Sequence, residues 1–245
     1  MPGSLTVVGT GIRFGVQLTP EARAAILAAD RVFHLVSDPV ARQWFETLRP
    51  DAQSLEPLYA PGKDRAETYA AIIEEVVTPV HAGFHVCAAF YGHAGVFVSP
   101  SHAAIRQAQA AGYEARMLPG ISAEDCLFAD LGLDPGVTGC QSYEATDFLV
   151  SRRTVDPRAL LILWQAGVVH ERSHVLEADP ARVESLVERL LEYYTEDHEA
   201  IVYEASPYPV GRPIIVHTTV SRLGEAGVTP ASSVVVPPGE AVAEP

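Results

Sequence analysis

His85-Val86-Cys87-Ala88-Ala89-Phe90-Tyr91-Gly92-His93-Ala94-Gly95-Val96-Phe97 is the stretch that decides the fold of this chain. Its first five residues form a short apolar run bounded by glycines, the pattern of a buried strand. Gly92 and Gly95 then turn the backbone and let it approach a ligand with no Cβ in the way. Ser99-Pro100 predicts a helix start, with serine as N-cap and proline as a first helical residue. Strand, glycine loop and helix in that order place a small-molecule site at the carboxyl end of a parallel sheet. A phenol and an imidazole, Tyr91 and His93, sit inside the loop. Taken alone, the segment is equally well an ordinary strand-to-helix turn.

The same alternation extends on either side. Leu5-Thr6-Val7-Val8 reads as a strand running into Gly9-Thr10-Gly11, and Thr19-Pro20-Glu21 opens a helix reaching Asp30. Val32 to Val36 reads as a second buried strand, with a helix from about Val40 to Leu48. A long helix follows the loop Tyr59-Ala60-Pro61-Gly62-Lys63; Asp64 and Glu67 have the spacing of a capping box, and Ile72, Ile73, Val76 and Val77 line its apolar face. A helix to Ala111 and a strand from Tyr113 to Leu118 complete the run. This predicts a parallel sheet with helices on both faces.

After Leu118-Pro119-Gly120 the pattern changes. A helix starts at Ser122, three residues before Asp125, and another spans Pro180 to Tyr194. Apolar runs at Leu160–Trp164, Ala200–Tyr203, Pro213–Thr219 and Ser232–Val236 suggest hairpins in a mixed sheet. The reading is therefore two α/β domains, 1–118 and 119–238, with a polar tail at 239–245.

Composition narrows the function. With 48% hydrophobic and 20% charged residues over 245, the chain has a soluble globular profile, and it lacks an apolar run long enough for a membrane helix. No basic segment opens the N-terminus, so a cytoplasmic location is expected. A formal charge of −14 argues against a nucleic-acid surface and would suit a partly basic peptide partner. Cys87, Cys126 and Cys140 have neither zinc nor disulfide spacing and read as small buried apolar residues. His81, His85 and His93 fall on different elements, so no metal is expected. Gly9-Thr10-Gly11 invites a dinucleotide reading, but the third small residue of that fingerprint is replaced by Phe14.

Four motifs together resemble the tetrapyrrole-methylase superfamily: Val8-Gly9-Thr10-Gly11, Tyr91 to Phe97, Leu118 to Asp125, and Tyr203-Glu204-Ala205-Ser206. Two more, Tyr59 with Gly62-Lys63, Arg65 and Tyr69, and the run Ala123 to Leu131, resemble the borosin peptide backbone α-N-methyltransferases. The likeness covers residues 4 to 238. Ala94 stands where borosin enzymes commonly have proline, which should loosen the loop while leaving Gly92, Gly95 and Phe97 in place.

The resemblance implies two α/β domains of the class III methyltransferase type with a cleft between them for S-adenosylmethionine, released as S-adenosylhomocysteine. It assigns catalysis to Tyr59, Arg65, Tyr69 and Tyr91. To the cofactor it assigns Gly9, Tyr91, His93, Val96, Phe97, Ser122, Ala123, Gln165, Ala205, Ser232 and Ser233. It further implies a homodimer. Because little follows Pro237-Pro238, the expected substrate is a separate precursor peptide, with a heterotetramer holding two precursor chains as the corresponding assembly; no nucleic-acid or membrane partner is expected.

Chemistry supports that assignment of catalysis. Arg65 and Tyr69 are four apart on a helix and share a face. A fixed guanidinium is expected to lower the pKa of a neighbouring phenol. Two rivals use the same fold: a C-methyltransferase acting on a corrin-type macrocycle, and a peptide-binding module without turnover.

Overall fold

The structure is a computed structural model that describes residues 2–36, 38–60, 62–171 and 178–239. The chain divides into two compact units. One comprises residues up to 126 together with 206–212; the other comprises 127–205 together with 213 onwards. The division thus falls later than the join read at 118/119, and the first unit recovers a short piece from far down the sequence. Of the tail read at 239–245, everything from 240 lies outside the described residues.

The first unit contains β1 (Ser4–Gly9), α1 (Pro20–Ala28), β2 (Arg31–Leu35), α2 (Pro39–Leu48), β3 (Gln53–Ser54), α3 (Arg65–His81), β4 (His85–Phe90), α4 (Ser99–Ala110) and β5 (Glu114–Leu118). The helix α5 (Ala123–Leu131) carries the chain across the division. The sheet has the order β3-β2-β4-β1-β5, and every pair is parallel.

Local chemistry starts these helices. Thr19 accepts from the Ala22 N–H at 3.1 Å, Asp38 from Val40 and Ala41 at 3.0 and 2.8 Å, and Asp64 from Ala66 at 2.7 Å. Ser122 and Asp125 cap α5 reciprocally: the Asp125 carboxylate accepts from the Ser122 N–H and hydroxyl, both at 2.7 Å, and Ser122 Oγ accepts from the Asp125 N–H at 3.2 Å. At α4 the sequence reading needs correction. Val98 occupies the cap and Ser99 is already helical; the buried Ser101 hydroxyl instead reaches back to the carbonyls of Ala94 and Val98.

Side chains alternating along β4 split the unit into two cores. Val86, Ala88 and Phe90 face α3 and α4 through Ile72, Val76, Val80, Ala104 and Ala108. Cys87 and Ala89 face α1 and α2 through Ala22, Ile26, Ala41 and Phe45. Consequently α1, which follows β1, and α4, which follows β4, cover opposite faces of the sheet. The connections leaving these neighbouring strands diverge, which opens a crevice at their carboxyl ends.

The second unit contains α6 (Pro135–Thr138), β6 (Cys140–Glu144), α7 (Ala145–Val150), β7 (Leu160–Trp164), α8 (Pro180–Leu190), β8 (Glu199–Glu204), β9 (Ile214–Thr219) and β10 (Ser233–Val236). Its sheet runs β6-β7-β10-β8-β9. Only β6 and β7 pair in parallel; the other pairs are antiparallel. Hairpin pairing joins β8 to β9, while β10, the last strand, inserts between β7 and β8. One face is covered by Phe148, Leu186, Leu190 and Leu223, which meet Leu161, Leu163, Val202 and Val234. Cys87 and Cys126 are buried, but Cys140, at the start of the edge strand β6, is only half-buried, contrary to the sequence reading.

Residues 206–212 leave the second unit after β8 and lie within the first. The Phe14 N–H donates to the Pro207 carbonyl at 3.1 Å, and the Tyr208 hydroxyl donates to Asp38 at 2.9 Å. The Phe14 ring meets Tyr208 edge-on at 6.0 Å and Trp44 at 6.1 Å. Among the described residues no helix is long and apolar enough to cross a membrane.

Candidate active site

The three tyrosines singled out from sequence come from three elements and line one cavity of about 210 Å³ in the first unit. Tyr59 follows a short 3-10 turn (Glu56–Leu58), Tyr69 lies on the second turn of α3, and Tyr91 follows the last residue of β4. Leu35, Phe90, Phe97, Val98 and Pro100 supply apolar walls. Sequence reasoning missed all of these walls except Phe97, because they look like ordinary core positions. Sites for drug-sized ligands occupy about 300–1,000 Å³, so this cavity suits one small group of a substrate. Recesses of about 480 and 380 Å³ flank α3 elsewhere, but none of the candidate catalytic or cofactor residues lines them.

Arg65, the first residue of α3, does not line the cavity. Its charge nevertheless acts on Tyr59. Burial pushes the Tyr59 phenol up to about 12, the Tyr69 phenol adds to the rise, and Arg65 opposes it. The guanidinium therefore works in the expected direction but is outweighed: desolvation decides the sign. Desolvation also raises Tyr91, helped by Cys126 and Asp38. That residue is 42% exposed, so water reaching its ring screens part of this shift. Both phenols are protonated at neutral pH and are hydrogen-bond donors.

Beside the cavity, the loops after β1, β4 and β5 are stacked main chain on main chain. Gly11 and Gly92 exchange two backbone hydrogen bonds, at 3.0 and 3.1 Å. A Cβ on Gly9 would lie 2.3 Å from the Gly92 carbonyl oxygen, and one on Gly120 would lie 2.7 Å from the same atom. The glycines of the incomplete dinucleotide fingerprint thus serve close packing between loops. In the β4 loop, His93 Nδ1 accepts from the Gly95 N–H at 2.9 Å, which fixes the ring and leaves the proton on Nε2. Val96 and Phe97 remain 38% and 47% exposed. Phe97 has a φ of 54°, a left-handed conformation that non-glycine residues rarely hold without compensation. Ser122 is buried by its cap, and Ala123 opens α5.

The remaining cofactor candidates form a second group, at one end of the second unit's sheet. Gln165 follows β7 with a φ of 58°, Ala205 follows β8, and Ser232 and Ser233 lead into β10. The Ser232 hydroxyl is fully buried and donates to Glu204 at 2.6 Å, so that side chain is already committed. Within the first unit, exposed apolar loop residues beside glycine main chain are features that fit a flat ring. No group of three or more His, Cys, Asp or Glu among the described residues could hold a metal ion.

A profile described as Tetrapyrrole (Corrin/Porphyrin) Methylases matches residues 4–223. The chain belongs to this family. The dendrothelin A methyltransferase/precursor of Dendrothele bispora is 43% identical over 91% of this chain, which spans 54% of that protein. The omphalotin A methyltransferase/precursor of Omphalotus olearius gives the same three figures. A type I borosin methyltransferase/precursor from Serendipita vermifera subsp. bescii is 38% identical over 98% of this chain, which spans 60% of it. The chain thus resembles borosin methyltransferases and covers little more than half of their length. The uroporphyrin-III-C-methyltransferase of Thermus thermophilus superposes with a TM-score of 0.69 at 19% identity, covering 97% of this chain and 93% of its own; it shares the fold.

These relatives correct the partner expected from sequence. Each is named as methyltransferase and precursor in one polypeptide, which overturns the expectation of a separate precursor chain and of an assembly built on one. A chain spanning about half of its relatives says nothing of the other half, so how little follows Pro237-Pro238 carries no weight.

Proposed function

We propose that this chain transfers a methyl group from S-adenosylmethionine to backbone amide nitrogens of a borosin-type precursor peptide. The observation that carries the reading is the phenol-lined cavity: Tyr59, Tyr69 and Tyr91 share one small apolar-walled space, and the Arg65 charge reaches Tyr59. Likeness to three named methyltransferase/precursor proteins supports it. A cavity of about 210 Å³ is of a size to take a peptide group.

An amide nitrogen is a poor nucleophile because its lone pair is delocalised into the carbonyl. S-adenosylmethionine would supply the electrophilic methyl. The chain's part is to stabilise charge as it builds on the amide oxygen. Tyr59, held protonated by burial, donates to that oxygen, and the Arg65 charge stabilises it from outside the cavity. Tyr69 takes or relays the amide proton, and Tyr91 orients the peptide plane. Gly9, His93, Val96, Phe97, Ser122 and Ala123 in the first unit, with Gln165, Ala205, Ser232 and Ser233 in the second, are the residues that would hold the cofactor.

The test joins this chain to the precursor segment of the omphalotin A relative and also supplies that segment as a free peptide, each with S-adenosylmethionine. Tandem mass spectrometry should locate new methyl groups on backbone nitrogens. Methylation of a porphyrinoid with none on either peptide form would overturn the reading.

A further inference from the structure

Glu204, the last residue of β8, stands at the end of the second unit's sheet where Gln165 and Ser232 also lie. One of its carboxylate oxygens, Oε1, accepts from both the Thr229 and the Ser232 hydroxyls, each at 2.6 Å. The four-residue loop they bracket is closed by its own bonds. The Thr229 N–H donates to Ser232 Oγ at 2.8 Å, the Ser232 N–H to the Thr229 carbonyl at 3.0 Å, and the Ala231 N–H to Thr229 Oγ1 at 3.1 Å. This loop rests on the turn after β7. The Ala166 N–H donates to the Ser232 carbonyl at 3.0 Å, and a Cβ on Gly167 would lie 2.0 Å from the Thr229 carbonyl oxygen. Gln165, next to Ala166, holds its left-handed φ of 58°. A non-glycine residue stays there only when its surroundings over-determine it.

We propose that Glu204 is a positioning residue: by gathering two hydroxyls on one oxygen it locks the 229–232 loop against the Gln165 turn and so presets that turn for the cofactor. The inference rests on the functional reading above. A carboxylate suits the task because it accepts several hydrogen bonds and has no proton of its own to place. A glutamine oxygen can also accept both hydroxyls; an alanine accepts neither.

The experiment is isothermal titration of the full chain with S-adenosylhomocysteine, for the unaltered protein and for Glu204→Gln, Glu204→Ala and Thr229→Val. Loss of a charge-assisted hydrogen bond corresponds to a factor on the order of ten. Glu204→Ala is expected to weaken binding about tenfold or more and Thr229→Val by less, while Glu204→Gln keeps most of the affinity. Titration stoichiometry counts the competent fraction, so lost folding is read apart from lost affinity. If Glu204→Ala does not fold, Thr229→Val against Glu204→Gln decides the matter. Unaltered affinity in Glu204→Ala, or in Thr229→Val where the alanine variant does not fold, overturns the inference alone. No binding by the unaltered chain overturns the functional reading and this inference with it.

Discussion

Tyr59 shows how one burial decision sets a side chain's role. With its phenol near 12, ionisation lies far above neutral pH and the residue works as a donor. In the proposed reaction its working form is the protonated one, which is lost only as pH rises through about 12. Methylation should therefore show no decline attributable to Tyr59 between about pH 7 and about pH 10. Tyr59→Phe should lower the rate about 10²–10³-fold, the usual effect of removing one donor to a developing oxyanion, with S-adenosylhomocysteine affinity unchanged. Single-turnover rates and calorimetry measure the two quantities.

His34 is a second case, away from the site. It is fully buried, its ring lies tilted 4.8 Å from that of Phe45, and it has no hydrogen-bond partner for either ring nitrogen among the described residues. Burial lowers its pKa; Glu46 on α2 opposes that and Arg42, also on α2, adds to it. The unfolded chain therefore binds a proton first as pH falls. The stability contributed by neutral His34 is present above about pH 6.5 and lost as pH drops below it. His34→Leu should flatten the acid limb of a urea-denaturation series between about pH 7.5 and about pH 5.5.

At the scale of elements, the glycine contact between loops is the most exacting feature. Gly120→Ala would place a Cβ 2.8 Å from Gly9 Cα as well as against the Gly92 carbonyl, and main chain cannot yield as a flexible side chain can. A cost of about 1–3 kcal/mol or more is expected, read as a lower denaturation midpoint together with weaker S-adenosylhomocysteine binding. Much of the element pattern was legible in sequence because its signals are local. Thr19, Asp64 and Ser122 with Asp125 announce their helices, and the apolar run at His85–Ala89 announces β4. Three elements before β7 were not legible. The strand β6 is Cys-Gln-Ser-Tyr-Glu, a polar edge strand with no alternation, α6 has four residues and α7 has six. The two-residue β3 is likewise too short to carry a period. For the site, spacing alone related Arg65 to Tyr69; bringing Tyr59 and Tyr91 to the same cavity needed either the family resemblance or the tertiary fold. Leu35, Phe90, Val98 and Pro100 gave no signal, since a cavity wall and a core contact have the same composition.

At the scale of the whole chain, neither unit is a continuous piece of sequence. The first draws on 206–212 to pack against Phe14, which in turn meets Trp44, and to bond Asp38. Tyr208→Ala removes an edge-on aromatic contact and a hydrogen bond, and is expected to lower the denaturation midpoint of this unit slightly. Chemical denaturation followed by tryptophan fluorescence should register the change through Trp44. An unchanged midpoint would mean that the returning segment only rests on the surface.

That returning segment also sets a timetable for synthesis. A ribosome releases the N-terminal portion well before it has made Tyr208. At 5–20 residues per second, translating 127–212 takes roughly 4–17 s. Throughout that interval the nascent polypeptide displays the Phe14 ring without its eventual partner. Maturation of the first unit must wait for residues encoded well downstream of its main portion.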